Sequence, residues 1–136
     1  MANEARVWMR SQDPSETVTF TVADATAIAK GTVMVATIGS DMTVVAHSAA
    51  DQGFIGIADE SKDASDGQVD IAVVTGGIIE FIAGGTIPAG QLVKLDTTAN
   101  RVVYSSGDLV SASQRTVIGR ALDDVTVGQT VRVKVF

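Results

Sequence analysis

The sequence predicts an all-β protein: a single-domain β-barrel, tulip-like, built from two related halves and preceded by an extended N-terminal arm. Three observations carry that expectation. A series of four glycine-introduced strand stretches is written twice, at an offset of roughly 60 residues. Hydrophobic residues make up 46% of the chain and aromatics only 4%, so Val, Ala and Ile carry the apolar load, a balance that suits pleated surfaces. The 13 glycines suggest many tight turns, and no stretch has the periodicity of a convincing amphipathic helix.

Residues 1–16 read as the arm. Arg6-Val7-Trp8-Met9-Arg10 mixes charge with large apolar side chains and does not alternate cleanly, and Pro14 punctuates the stretch. A frayed terminus is one reading. A segment that orders on a partner is the other, because a lone tryptophan in a polar terminus is a typical interface anchor. The barrel domain is assigned to residues 17–136. Thr17-Val18-Thr19-Phe20-Thr21-Val22 alternates at period two, which places Val18, Phe20 and Val22 toward a core. Ala23 to Ala29 are too few for a stable helix and read as a connector.

The first repeat unit, 30–75, predicts strands near Thr32–Ala36, Thr43–Ala46, Phe54–Ala58 and Gln68–Val74. Between the last two, Asp59 to Gly67 is polar and turn-rich, a solvated loop. Ile78–Ile82 then bridges to the second unit, 89–136. Its strands are expected near Gln91–Leu95, Arg101–Tyr104, Thr116–Leu122 and Gln129–Phe136. About ten short strands at near-regular spacing argue for a barrel or sandwich. Gly56 and Gly119 fall inside strands at equivalent points, where glycine marks a bulge, a bend or a close backbone approach. Such a bend in both units would curve the sheet, each unit building half of one rigid barrel.

Charge and composition exclude several functions. Ten basic residues against 16 acidic give a formal net charge of -6, and the Lys and Arg residues are scattered, which argues against nucleic-acid binding. Cysteine is absent, removing disulfides, thiolate nucleophiles and cysteine metal sites. No stretch approaches the roughly 18 apolar residues of a membrane-spanning helix, and Met1 to Arg10 has no apolar core of signal-peptide length. The expected product is made in the cytosol and stays soluble or travels as part of something larger, with no membrane partner.

The search for chemistry returns no catalytic, cofactor or metal residue. His47, the single histidine, follows an apolar strand and reads as a surface residue at a strand end. No serine lies in a Gly-x-Ser-x-Gly turn, so a Ser-His-Asp triad has no nucleophile elbow to start from. Asp59, Glu60, Asp63 and Asp66 could hold calcium through oxygen, but Asp63 to Gly67 lacks the alternate carboxylates of an EF-hand loop, and a solvated turn explains them better. Asp123-Asp124 sits at the corresponding point of the second unit, where loop solvation is again preferred to an acid/base pair. The glycine pairs Gly76-Gly77 and Gly84-Gly85 lack the Gly-Lys-Ser/Thr of a phosphate loop. Lys94 lies inside a strand, unlike the hairpin-tip lysine of a lipoyl or biotinyl carrier.

Several stretches together resemble a known family. They are Lys30-Gly31-Thr32-Val33-Met34-Val35, Met42-Thr43-Val44-Val45-Ala46, Gly53-Phe54-Ile55-Gly56-Ile57-Ala58 and Gln68-Val69-Asp70-Ile71-Ala72-Val73, with the second copy from Ile87-Pro88-Ala89-Gly90 to Phe136. This pattern is similar to the head-decoration, or capsid cement, proteins of tailed bacteriophages, including the lambda-like head-stabilising proteins. The resemblance implies a homotrimer on the outer surface of the virion head, clamping subunits of the major capsid protein. It also implies an arm that orders on the capsid by strand addition, here Arg6, Val7, Trp8, Met9 and Arg10. No cofactor and no enzymatic activity are implied. The alternative is another virion surface module, a fibre or adhesin-like domain, with a ligand site in Asp59–Gly67 or Gly107–Gln114.

Overall fold

A computed structural model of the chain describes residues 3–9, 17–50, 52–105 and 117–136, with Trp8 and Met9 described by their backbone only. Among these residues there are eleven strands and no helix. The strands are β1 (Arg6–Met9), β2 (Thr17–Thr21), β3 (Val33–Ala36), β4 (Val44–Ala46), β5 (Phe54–Ala58), β6 (Asp70–Val74), β7 (Ile78–Ala83), β8 (Leu92–Leu95), β9 (Arg101–Tyr104), β10 (Val117–Ala121) and β11 (Thr130–Val135). The period-two and glycine-turn signals therefore place ten of these strands to within one or two residues. The eleventh, β1, comes from the stretch that does not alternate.

The strands form two sheets, in the orders β2-β6-β5-β3-β4 and β1-β7-β11-β10-β8-β9. A parallel pairing of β7 with β9, Ile82 opposite Arg101 and Ala83 opposite Val102, closes the second sheet into a five-stranded barrel. Substituting β2 for β7 and β3 to β6 for β8 to β11 reproduces the order of the first sheet. Its ends meet in the same parallel sense, through a single bridge between Thr21 and Thr43. The antiparallel bridge Ile28–Lys62 has its counterpart in Ile87–Val125. The all-β barrel fold of two related halves is thus present, but each half closes on itself, so the units do not build two halves of one barrel. Each unit takes in the strand before it, β2 or β7, as a fifth stave.

Gly56 and Gly119 explain how so few strands can curl. A Cβ on Gly56 would run into the Val74 carbonyl and lie 2.8 Å from Val73 Cγ1; one on Gly119 would run into the Lys134 carbonyl and lie 2.9 Å from Val133 Cγ1. At both points the neighbouring strand crosses directly over the backbone, which only a residue without a side chain permits.

Two apolar clusters follow from this arrangement. Val22, Ile28, Met34, Val44, Ala58, Ile71 and Val73 fill the first unit. The larger cluster fills the second unit and runs outward to Val33, Val35, Ile57 and Val74 of the first. Strand β3 is the shared wall: side chains alternate across a strand, so Met34 points into one cluster while Val33 and Val35 point into the other, and all three are fully buried. Phe54 of the first unit meets Phe81 of the second edge-on, ring centroids 6.3 Å apart, a favoured aromatic geometry.

Candidate interaction surfaces

The arm enters the fold at the seam between the units. Ala5 is buried, and its N–H donates to the Gly31 carbonyl at 2.6 Å. Gly31 has φ of +91°, and a Cβ there would strike the Ala5 carbonyl, so this glycine serves both the left-handed turn and the passage of the arm. Strand β1 then pairs antiparallel with β7, Arg6 opposite Glu80 and Val7 opposite Ile79. The Arg6 guanidinium reaches Glu80 at 2.6 Å, and Val7 packs on the larger core cluster. A cleft of about 390 Å³ lies beside the strap, between Arg6 and Asp59. Of the five arm residues singled out in the sequence, Arg6 and Val7 thus have partners within the chain. Trp8 and Met9 continue β1 by their backbone, and Arg10 lies outside the described residues, as does the Gly107–Gln114 loop.

His47 is not at the surface. It is 1% exposed and forms part of the joint between the units. The Asn100 N–H donates to Nδ1 at 3.0 Å, and Nε2 lies 2.8 Å from the Asp96 carbonyl. Nδ1 must accept, so Nε2 carries the proton and the ring is neutral. The Asn100 side chain in turn accepts from the Val33 N–H at 2.9 Å. Burial pushes the His47 pKa down, and the Asp96 carbonyl and carboxylate oppose that only in part. The ring is used up by structure. Its counterpart in the second unit, Ser105, is also buried, and the backbone bonds His47 N–H to Val33 and Ser105 N–H to Leu92 correspond.

The acidic loop is organised by a cation of its own. The Lys62 side chain is fully buried, and its ammonium donates to the carbonyls of Asp24, Thr26 and Asp63 at 2.9, 3.0 and 2.9 Å. Asp66 Oδ1 lies 3.4 Å away. Asp66 also accepts from the Gln68 and Asp63 N–H groups, and these bonds, the Gln68 one first, hold its carboxyl below the usual range. The expectation of a freely solvated loop missed Lys62, which composition alone files among scattered basic residues. In the second unit Asp123 takes Arg132 at two oxygens, 2.7 and 3.0 Å, and Asp124 accepts from the Ala89 N–H. The Arg132 guanidinium holds the Asp123 carboxyl below its usual range. This adjacent pair is spent on an ion pair and a loop cap. Among the described residues no three His, Cys, Asp or Glu side chains gather as a metal site.

What remains outward is edges, loop tips and isolated apolar side chains. Ile38, at the β3–β4 tip, is 98% exposed; Val127 and Phe136 are also well exposed. Together with the twin barrels, this defines the class as an all-β scaffold. The chain belongs to the phage cement protein family, whose match covers residues 12–135, and it is a capsid-associated structural protein. The match begins after β1. The fold is also similar to the crystal structure of the head fiber gp8.5 N base of bacteriophage phi29, at a TM-score of 0.60 and 18% identity, over 88% of this chain and 94% of that one. No curated protein matches the chain.

Proposed function

We propose that this protein is a capsid decoration protein that sits on the outside of a phage head as a homotrimer and stabilises contacts between major capsid subunits. The observation that carries the reading is the family match across nearly the whole barrel region, residues 12–135. The physical picture agrees with it. The two barrels pack together across β3, whose Val33 and Val35 join the larger cluster, and are tied by His47 and by the β1 strap, an arrangement suited to bearing load between subunits. Trp8, Met9 and Arg10 are the proposed capsid anchor, with Arg6 and Val7 fixing its root on β7. Many weak contacts repeated over a lattice give tight overall attachment through avidity.

Cryo-electron microscopy of heads decorated with the purified protein tests the arrangement. Three copies around each local three-fold axis, with β1 toward the shell, is the expected result. Copies that sit singly, or bind with the arm pointing away, would refute the trimer and the anchor respectively. The likeness to a head fiber base favours a second reading, a base that carries a projecting module. In that case the same maps would show a further protein seated on the barrel.

A further inference from the structure

The two units carry charge very unequally. Residues 17–75 hold eight acidic and two basic residues, whereas residues 76–136 hold five acidic and six basic. One of the two bases in the first unit, Lys62, is fully buried in its own loop. The surface of the first unit is therefore strongly acidic, and that of the second carries cations. Such an asymmetry favours association that matches one end of a molecule to the other end of its neighbour.

The repeat shows where three of the cations lie. In the first unit Val33 stands opposite Ile57, and Ile57 opposite Val74. In the second, Leu92 stands opposite Arg120, and Arg120 opposite Lys134. Two residues beyond Val33 and Leu92 come Val35, opposite Phe54, and Lys94, opposite Val117. Directly opposed residues of an antiparallel pair share a face, so these rows are the same outer face of each barrel. In the first barrel Val33, Val35, Ile57 and Val74 are all buried in the larger cluster, against the second unit. In the second barrel Arg120 and Lys134 are exposed, and Leu92 and Lys94 are half-buried. The Arg120 guanidinium donates to the Gly90 carbonyl at 2.6 Å. Among the described residues no carboxylate pairs with Lys94, Arg120 or Lys134. Like charges directly opposed, as Arg120 and Lys134 are, destabilise a strand pair, and an anionic partner would remove that cost.

We propose that this face of the second barrel docks on the acidic first unit of a neighbouring copy, head to tail. The inference rests on the reading of the protein as a homotrimer and assigns the contact that builds it. The face covers a neighbouring copy as its equivalent covers a neighbouring unit within the chain. Cations in place of aliphatic side chains make it a selective, separable contact in place of a core. The acidic side is available: Glu60, Asp63 and Asp70 are exposed, and among the described residues no cation pairs with them. The Gln68 amide holds Glu60 at 2.9 Å and the Asp70 carbonyl at 2.7 Å, which gathers these residues into one patch. A single exposed ion pair contributes little. Here several charges on each side act together, repulsion within the basic face is relieved, and half-buried Leu92, Val103 and Val117 add apolar area beside Lys94. Two basic faces meeting each other would oppose like charges, which excludes a two-fold contact through this surface. A contact between two different surfaces is heterologous and closes into a ring when the rotation between copies allows.

Sedimentation of the full chain over a concentration series, at low and high salt, tests the contact, with co-sedimentation on heads measured for each variant. The wild-type chain should form trimers that weaken as salt rises. Lys94→Glu, Arg120→Glu and Lys134→Glu together should weaken association about tenfold or more. Glu60→Lys, Asp63→Lys and Asp70→Lys together should do the same. Both sets in one chain restore opposite signs and should recover most of the affinity. Urea unfolding verifies that each variant folds, and glutamine at the three cations serves if the reversed face does not. Trimers indifferent to both sets would overturn this contact and leave the trimer reading standing. Loss with the basic set alone, or no recovery in the combined chain, would overturn the first unit as the occupant. Normal trimers that no longer bind heads when the basic face is reversed would assign the face to an acidic capsid surface and overturn the choice of a second copy. A wild-type chain that stays monomeric in solution and binds heads singly would overturn the trimer reading, and this inference with it.

Discussion

Replacing Lys62 with methionine keeps most of the buried stem and removes the ammonium. Three carbonyls, of Asp24, Thr26 and Asp63, then lose a charged donor at 2.9, 3.0 and 2.9 Å. Each bond from a charged donor is worth about 1.5–3 kcal/mol net. Water can reach these loop carbonyls once the ammonium is gone, which offsets part of the loss. The expected cost is about 2–4 kcal/mol, out of the roughly 5–15 kcal/mol that holds a domain of this size folded. For a chain of this length the midpoint should fall by about 5–15 °C. The effect should be nearly independent of salt, because a buried ion is poorly screened. Thermal and urea unfolding, each at low and high ionic strength, measure it. The second unit provides an internal comparison. Val125 stands where Lys62 does, and its loop, 122–129, is shorter than 59–69. A loss below about 0.5 kcal/mol, the ordinary scale of a surface substitution, would refute the claim that the lysine organises the longer loop.

Three further outcomes follow from the same geometry. Gly56→Ala and Gly119→Ala each place a methyl against a crossing carbonyl, so each should cost about 2–4 kcal/mol through overpacking and lost ladder bonds, seen as a lower urea midpoint. Stability should fall with acidification through His47: its folded pKa lies below the ordinary 6.5, so the unfolded chain takes up the proton first. The contribution is complete above about pH 6.5 and declines below it by up to about 1.4 kcal/mol per pH unit, until the folded group also titrates. That slope should be absent from the unfolding profile of His47→Asn, which retains an acceptor for the Asn100 N–H. Arg6→Ala should cost less than about 1 kcal/mol, since the arginine is largely exposed and such pairs contribute little; a larger loss by calorimetry would mean that the strap depends on that pair.

The sequence revealed the repeat because the repeat is a matter of backbone. Glycine turns at Gly31 and Gly90 and the close crossings at Gly56 and Gly119 leave residue types that can be read directly. Where closure occurs was hidden, because it depends on the partners of β2 and β7, strands that precede their units and differ in sequence. Strand β1 was invisible for a related reason. Its residues are ordered by Gly31 and Glu80, far along the chain, and carry no period of their own. His47 and Lys62 were misjudged because polar type predicts exposure in general. Here each is buried with its hydrogen bonds met, by residues 96–100 and 24–26 respectively.

The central claim is that this scaffold strengthens a phage head by binding across its subunits. The direct measurement is the heat tolerance of heads assembled without the protein, before and after adding it, with bound copies counted by co-sedimentation. Saturable binding and a rise in the temperature at which heads disrupt are the expected results. Absence of binding, or saturated binding with unchanged heat tolerance, would contradict it.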